Sequence, residues 1–203
     1  MKGADLLTRR GRNLRRRIYG AWFDRTHHVR TTEEFTGPDH RGDARRYEPS
    51  ESWRLPRVLP PSEVTPEDVF VDIGAGKGRV LLVAARRYPF RRVLGVEISP
   101  EMAEAGRANL AAAGRPDIPI HCTDVRTWDI PADATVFYLF NPFVGEVFDA
   151  FVEQLTASQR AAPRTLRIVY ANPVMHSRLI AAGFQENRRM RKLVLYTRTT
   201  APG

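Results

Sequence analysis

A glycine-rich turn is the first part of this sequence whose residue types and spacing could bind a ligand. Asp72 stands in a buried apolar run, and Gly74, Gly76 and Gly78 follow it just before a helical pattern begins. Glycines at such a turn tolerate positive φ angles and let the backbone approach a ligand closely. Arg79 stands where a dinucleotide-binding fold has its third glycine, so NAD(P) is disfavoured, and the spacing also fails that of a P-loop. For the glycines alone, a purely structural turn remains the alternative.

Two further acidic residues follow the next two predicted strands. Glu97 closes the second strand, and Asp124, followed by Val125, lies just beyond the third. The carboxyl ends of adjacent parallel strands are where open α/β sheets bind ligands, so Glu97 could accept both hydrogen bonds from a ribose diol and Asp124 one from an adenine amine. Each acid alone could equally be a helix cap or a solvated charge. Their ordered joint occurrence favours a nucleoside site.

The elements that must position these residues follow from hydrophobic periodicity. From Val69 onward, short apolar runs alternate with helical stretches, which is typical of βα units feeding a parallel sheet. Ser99 and Pro100 mark a helix start. The single cysteine, Cys122, is expected to be buried near the end of a strand. The predicted strands are Val69–Ile73, Arg92–Glu97, Ile118–Cys122, Thr135–Phe140, Thr165–Ala171, Phe184–Arg189 and Lys192–Arg198, and the predicted helices are Gly78–Tyr88, Pro100–Ala113, Gly145–Ser158 and Pro173–Ala182.

Composition and charge limit the number of domains that the chain can contain. Its 203 residues, 42% hydrophobic and 27% charged, suit one compact domain with a modest appendage. Residues 1–17 hold seven Lys/Arg against one Asp, whereas the other residues hold 25 basic against 22 acidic side chains. We therefore predict a basic leader over 1–17, a cap over 18–62 and the ligand-binding domain over 63–203. The leader lacks the features of a secretion signal and no apolar run is long enough to cross a bilayer, so we expect a cytoplasmic protein without membrane contact.

Three segments together resemble the class I S-adenosylmethionine (SAM)-dependent methyltransferases. They are Asp72-Ile-Gly-Ala-Gly-Lys-Gly78, Val96-Glu-Ile-Ser-Pro100 and Thr123-Asp-Val125, and the resemblance covers about residues 66–198. It implies an α/β fold with a Rossmann-like seven-stranded sheet of order 3-2-1-4-5-7-6, strand 7 antiparallel, helices on both faces and an N-terminal cap. It also implies SAM as the methyl donor and S-adenosylhomocysteine as the product.

The resemblance assigns roles to the residues at the carboxyl edge. The glycine loop would face the methionine part, Glu97 the ribose and Asp124 the adenine, and Asp72 would hold the amino group through water. The cofactor-binding set implied in this way is Asp72, Gly74, Ala75, Gly76, Gly78, Glu97, Ile98, Asp124, Val125 and Asn141.

A second motif after the fourth strand concerns the methyl acceptor. Phe140-Asn141-Pro142-Phe143 is similar to the Asn/Asp-Pro-Pro-aromatic motif of amino-group methyltransferases, with Phe143 in place of the second proline. The resemblance implies that Asn141 orients the acceptor nitrogen, and that Pro142 and Phe143 bind the substrate. The alternative is a helix start with Asn141 as N-cap and Pro142 in the first turn.

Candidates for a general base lie in the predicted cap. His28, Tyr47 and Glu48 could take a proton or, in the case of Tyr47, contact the substrate, although packing within a lid would also use such residues. The segments Phe23-Asp-Arg25 and Tyr47-Glu-Pro49 are similar to segments that precede the glycine motif in small bacterial methyltransferases, which suggests a lid over SAM.

No metal is expected. Metal-dependent O-methyltransferases use an aspartate near the end of strand 4, where this chain has Asn141, and His121 and His176 lack ligand spacing.

These features predict an enzyme that methylates a nucleophile, preferably nitrogen, on a small molecule or a peptide or protein side chain. RNA is the rival acceptor, because the leader could bind phosphates, but the small net charge of the remaining chain and the lack of an appended RNA-binding domain disfavour it. A non-catalytic SAM- or nucleotide-binding module is the alternative outside enzymes. The sequence carries no signal for an oligomeric state.

Overall fold

A computed structural model describes residues 14, 17–32, 54–140 and 142–200 of the chain. Its centre is a seven-stranded sheet of order β3-β2-β1-β4-β5-β7-β6. β7 is antiparallel to both of its neighbours, and the remaining neighbouring pairs are parallel. This confirms the predicted fold class. The strands are β1 (Val69–Ile73), β2 (Arg92–Glu97), β3 (Ile120–Cys122), β4 (Val136–Phe140), β5 (Leu166–Ala171), β6 (Gln185–Met190) and β7 (Leu193–Arg198).

Helices cover both faces of this sheet. They are α1 (Leu14 and residues 17–27 among the described residues), α2 (Leu55–Val58), α3 (Arg79–Arg87), α4 (Pro100–Ala112), α5 (Gly145–Ala161) and α6 (His176–Ala181), with a 3₁₀ turn at Pro61–Glu63. The predicted start of α4 is confirmed, because the Ser99 hydroxyl accepts a hydrogen bond from the Met102 N–H and Pro100 occupies the first turn. α5 runs past its predicted end at Ser158. Gln159 is buried in its last turn and donates to the carbonyls of Arg164 and Arg198, which ties the helix end to β7.

The apolar strand residues are buried on both sides, as expected for a mostly parallel sheet between two helical layers. One layer packs Phe23 of α1, Leu81 of α3 and Leu110 of α4 against the sheet. The other packs Phe148 and Phe151 of α5. The sheet therefore has two apolar cores, and its polar residues concentrate at the strand ends.

The burial expected for Cys122 is wrong. Its side chain is exposed, because β3 is the edge strand of the sheet and only Ile120 among its three residues is buried. β3 is also shorter than predicted, beginning at Ile120 instead of Ile118, because the Ile118 N–H donates to the Arg115 carbonyl in the preceding turn and Pro119 has no N–H.

Helix α1 is tied to the first turn of α3 through the carboxylate of Asp24. The hydroxyls of Thr31 and Thr32 donate to it, each at 2.5 Å, and the Thr32 N–H donates at 2.8 Å. Arg79, the first residue of α3, lies with its Nη2 atom 3.6 Å from Asp24 and its guanidinium over the ring of Phe23. Burial would raise the pKa of Asp24, but these hydrogen bonds outweigh it and lower the pKa. Part of the predicted cap therefore packs on the glycine-loop side of the sheet.

In the part of the chain that the structure describes, no helix combines the length and apolar character needed to cross a membrane.

Candidate active site

The chemistry-bearing residues meet at one edge of the sheet. β1, β2, β3 and β4 run parallel and end at Ile73, Glu97, Cys122 and Phe140, so the loops that follow them lie side by side. This edge collects the glycine-rich turn, Glu97 and the segment around Asp124, as their order in the sequence predicted. We call the region between the loops that follow β1, β2, β3 and β4 the crevice.

The glycine-rich turn is held against the end of β2. The N–H groups of Gly74 and Ala75 both donate to the Val96 carbonyl at 2.9 Å, and the Gly78 N–H donates to the Ala75 carbonyl at 2.9 Å. Gly74, Gly76 and Gly78 have φ angles of 77°, 51° and 80°. Because side chains are disfavoured in this left-handed region, the turn requires glycine at these positions.

Glu97 joins the turn to the start of α4. Its Oε2 atom accepts a hydrogen bond from the Gly76 N–H at 2.8 Å, and its Oε1 atom accepts one from the Ser99 N–H at 2.9 Å. Both bonds are charge-assisted. The carboxylate is half-buried, so it is fixed by the protein while it keeps access to solvent.

Two glycines outside the motif allow the walls around the turn to approach each other. A Cβ atom at Gly95, in the middle of β2, would lie 2.7 Å from the Ala75 Cβ atom. One at Gly106, within α4, would lie 2.7 Å from the Gly76 carbonyl oxygen and 2.6 Å from an Ile120 methyl group. Sequence reasoning missed both residues. The available signal was a glycine inside a strand and another inside a helix, where it lowers intrinsic stability and needs a packing reason.

Asn109 of α4 is a second residue that sequence reasoning missed. Its side-chain amide donates to the Lys77 carbonyl at 3.1 Å, and its Oδ1 atom accepts from the Arg30 N–H at 2.8 Å. It therefore fixes the turn and the segment after α1 together. The available sequence signal was its spacing, because Asn109 follows Met102 and Gly106 at the i, i+4 and i+7 positions of one side of α4.

Asp72 lies deep beneath the turn, at 3% exposure. Burial, and then the nearby charge of Glu97, raise the pKa of Asp72 well above its usual range. Among the described residues, no lysine or arginine forms an ion pair with Asp72. The pair of acids therefore favours a ligand that brings positive charge to this edge.

Asp124 lies beside β3 and is held by Arg126. Its carboxylate accepts from the Arg126 backbone N–H at 2.8 Å and from the guanidinium at 2.6 Å, and the side-chain bond is the main reason that the pKa of Asp124 is lowered. Val125 is buried, with 6% exposure, beneath this segment. Asp124 is thus an ionised hydrogen-bond acceptor fixed at the β3 end of the crevice. Ile98 follows β2, between the glycine-rich turn and Asp124, and is 48% exposed.

The predicted acceptor segment lies next to the glycine-rich turn. A Cβ atom at Gly74 would come within 2.7 Å of the Pro142 Cβ atom, so Pro142 closes the crevice on the β4 side. Phe143 is 8% exposed and packs with Phe148 and Phe151, at ring distances of 6.2 and 5.9 Å. It belongs to the core here, so stacking on a substrate would require the ring to leave this cluster. Asn141 lies outside the described residues.

The predicted bases receive little support. Tyr47 and Glu48 lie outside the described residues. His28 is exposed in the turn that ends α1, with a φ angle of 56°, and no contact described in the structure joins it to Asp72 or Glu97. Its role as a base stays a prediction. Over the described ranges, no group of three or more His, Cys, Asp or Glu side chains could hold a metal ion.

The strand order, the antiparallel β7 and the glycine turn braced by the acid that ends β2 define the class I, Rossmann-like methyltransferase fold. A family model of the methyltransferase domain matches residues 70–167, which include the turn, Glu97 and Asp124. The fold and this match, which spans just under half of the chain, together support a class I, Rossmann-like SAM-dependent methyltransferase.

Relatives and solved structures agree with this assignment. The chain is similar to the tRNA1(Val) (adenine(37)-N6)-methyltransferase of Porphyromonas gingivalis, with 51% identity over 43 residues, which are 21% of this chain and 17% of that protein. It is also similar to a protein-lysine N-methyltransferase of Saccharolobus islandicus, with 31% identity over 68 residues, which are 34% of this chain and 42% of that one. The match thus spans less than half the length of either relative.

Among solved structures, an RNA methyltransferase from Salinibacter ruber in complex with S-adenosyl-L-homocysteine superposes with a TM-score of 0.52 at 22% identity, covering 74% of this chain and 92% of that one. At that identity, the likeness concerns the fold.

Proposed function

We propose that this protein transfers the methyl group of SAM to a nitrogen nucleophile. The observation that carries the proposal is the acidic crevice at the carboxyl edge, where Asp72 is buried without a cationic partner among the described residues and Glu97 is fixed beside it. SAM carries a positive sulfonium and a positive amino group, so its charge complements this crevice. A nicotinamide dinucleotide, with its pyrophosphate, would bring negative charge to the same acids.

The residues present fit the three parts of this ligand. The turn around Gly76 leaves a surface without side chains for the methionine part, and Asp72 lies beneath it to offset the amino group. Glu97 uses one lone pair on each oxygen for the backbone, so the remaining lone pairs can accept from the ribose hydroxyls. Asp124 can accept from the adenine amine beyond Ile98.

When bound, SAM supplies an activated methyl group. The acceptor nitrogen forms the new C–N bond while the C–S bond breaks, the electron pair stays on sulfur to give S-adenosylhomocysteine, and the nitrogen releases its proton to water or a base. The protein's part in this step is alignment of the two reactants and exclusion of water. In the proposal, Asn141 and Pro142 orient the acceptor, because Pro142 lies against Gly74 at the same edge.

A nitrogen acceptor is supported by the names of the relatives. One is a methyltransferase of adenine N6 in tRNA, and the other modifies protein lysine. Both names describe methylation of an amino nitrogen outside a ring. We therefore infer an amino group as the acceptor, carried by RNA or by a lysine side chain, and we place a free small-molecule amine third.

Calorimetric titration with SAM, S-adenosylhomocysteine and NAD tests the ligand. We expect saturable binding of the first two and none of NAD. Binding of NAD with comparable affinity, or no binding of SAM, would end the proposal. Methyl transfer is then tested by incubating the full chain with SAM and either total RNA or a lysine-rich peptide, and by following the mass of nucleosides and peptides. Methylation at oxygen or carbon only would refute the nitrogen assignment.

A further inference from the structure

The outward side of α1 carries an unusual set of exposed residues. Leu14, Ile18 and Trp22 are 59%, 60% and 55% exposed, and they are half of the exposed large apolar residues in the described ranges. Residues four apart lie on the same side of a helix, so these three form one stripe. Arg17 at its margin and Arg25 within it are also exposed. We call these five residues the outer face of α1.

The ring of Trp22 is held in place on this face. Tyr19 contacts Trp22 at a ring distance of 6.0 Å and Phe23 at 5.9 Å. Phe23 is 2% exposed and belongs to the apolar core between the sheet and helices α1, α3 and α4. A series of ring contacts thus connects the core to an exposed indole. Because its orientation is partly fixed, little entropy is lost when a flat ligand stacks on it.

Positively charged residues precede this face in the sequence. The sixteen residues that precede position 17 hold six Lys/Arg and one Asp. Of the overall charge of +9, residues 1–17 therefore account for +6 and the other 186 residues for +3.

The N-terminal part of α1 lies near the glycine-rich turn. A Cβ atom at Gly20 would lie 3.5 Å from the guanidinium of Arg79, which directly follows the glycine-rich turn. His27, near the end of α1, lies toward the end of α3. α1 thus runs alongside α3 in the same direction. The first turn of α1 therefore lies at the end of α3 that is next to the glycine-rich turn.

We propose that the outer face of α1 binds single-stranded RNA, with a base stacked on Trp22 and phosphates paired with Arg17 and Arg25. This inference rests on the proposed function, since it would select RNA as the carrier of the acceptor amine. An exposed aromatic ring between arginines is the arrangement that sequence-tolerant single-strand binding uses. An interfacial membrane helix needs a broader apolar side, and the opposite side of α1 is already covered by the protein.

The test is fluorescence anisotropy of a labelled 12-nucleotide single-stranded RNA with the full chain at several salt concentrations. We expect Trp22→Ala to raise Kd by about 5-fold to 100-fold, from the loss of one stacked base, and Trp22→Phe to restore most of the affinity. The double variant Arg17→Gln/Arg25→Gln should lower the slope of log K against log salt by about 1.4, for two lost phosphate contacts. Ile180→Ala and Arg160→Gln, exposed on α6 and α5 over the other face of the sheet, are the matched controls and should bind like the wild type.

Several outcomes would overturn the inference. Wild-type affinity in Trp22→Ala, or the same loss in the controls, would remove the outer face as the binding site. Binding to phosphatidylserine vesicles that Trp22→Ala abolishes, without RNA binding, would assign the face to a membrane. A dimer in light scattering that Trp22→Ala dissociates would assign it to a second copy. Calorimetric titration of each variant with SAM separates this result from the proposed function, because SAM binding should be unchanged in all of them.

Discussion

The substitution Glu97→Gln perturbs the one side chain that braces the glycine-rich turn and is expected to bind the ribose. The glutamine has nearly the same shape, so it adds no cavity. It retains one oxygen acceptor, whereas its other terminal atom becomes an NH₂ group that faces a backbone N–H. Either the Gly76 N–H or the Ser99 N–H, now bonded at 2.8 and 2.9 Å, therefore loses its partner.

The magnitude follows from the number and kind of these bonds. A hydrogen bond to a charged group contributes about 1.5–3 kcal/mol, so loss of one and weakening of the other should lower the free energy of unfolding by about 2–3 kcal/mol. Relief of the repulsion between Glu97 and Asp72 offsets part of this loss. For SAM, loss of the charged acceptor for the ribose hydroxyls should raise Kd by roughly 10-fold to 100-fold.

Two measurements separate the structural role from the binding role. Urea unfolding reports the brace, and calorimetric titration with S-adenosylhomocysteine and its 2′-deoxy analogue reports the ribose contact. If Glu97 accepts from the 2′-hydroxyl, the substitution should weaken the natural ligand much more than the analogue, which is a double-mutant-cycle test. Glu104→Gln is the matched control, since its side chain is 77% exposed in an ion pair with Arg107. A Kd within twofold of the wild type, or equal losses for both ligands, would refute the ribose assignment.

Three further substitutions test other parts of the crevice. The substitution Asp72→Asn removes a buried carboxyl group whose pKa is higher in the folded than in the unfolded protein. In the wild type, the contribution of this carboxyl group to stability is therefore present below about pH 4 and is lost as pH rises through the folded pKa. The variant should thus be more stable than the wild type by about 1–3 kcal/mol at pH 8 and by less at pH 5 in urea unfolding, with weaker SAM binding; an equal gain at both pH values would contradict the assigned cause. Gly106→Ala should destabilise the fold by about 1–3 kcal/mol and weaken SAM binding, because the new methyl group would lie 2.7 Å from the Gly76 carbonyl, although alanine is the better helix former; thermal unfolding that rises instead would show that α4 can shift. Asn141→Ala should slow methyl transfer about 100-fold while the Kd of SAM stays within threefold, as measured by product mass spectrometry and calorimetry; unchanged turnover would remove Asn141 from acceptor binding.

The central strands of the fold could be predicted because they are buried on both faces. Continuous apolar runs such as Val69–Ile73 locate such strands, and Ser99 with Pro100 locates a helix start, without tertiary information. The edge strand β3 differed from its prediction. β3 is buried only at Ile120, and its pattern gave no sign of which side of Cys122 would meet solvent. The exposure of Cys122 depends on the position of β3 in the strand order, and the local sequence pattern does not show that position.

The placement of candidate site residues was predictable where it depends only on the end of a strand. Glu97 and Asp124 lie at the predicted edge because parallel strands must end together. Contacts between distant elements were not predictable, since they depend on packing angles. The approach of α4 to the turn through Gly106 and the link from Asn109 to Lys77 are of this kind.

The glycines around the crevice have a common physical reason that the motif alone does not show. Gly76 needs a positive φ angle, but Gly95 and Gly106 lie in regular strand and helix, where glycine costs stability. What they provide is the absence of a side chain between β2, the turn and α4. This close approach is what brings the Gly76 N–H within 2.8 Å of the Glu97 carboxylate. The position of the Glu97 carboxylate therefore depends on Gly95 and Gly106, and a residue with a side chain at either position would displace the turn or its neighbours.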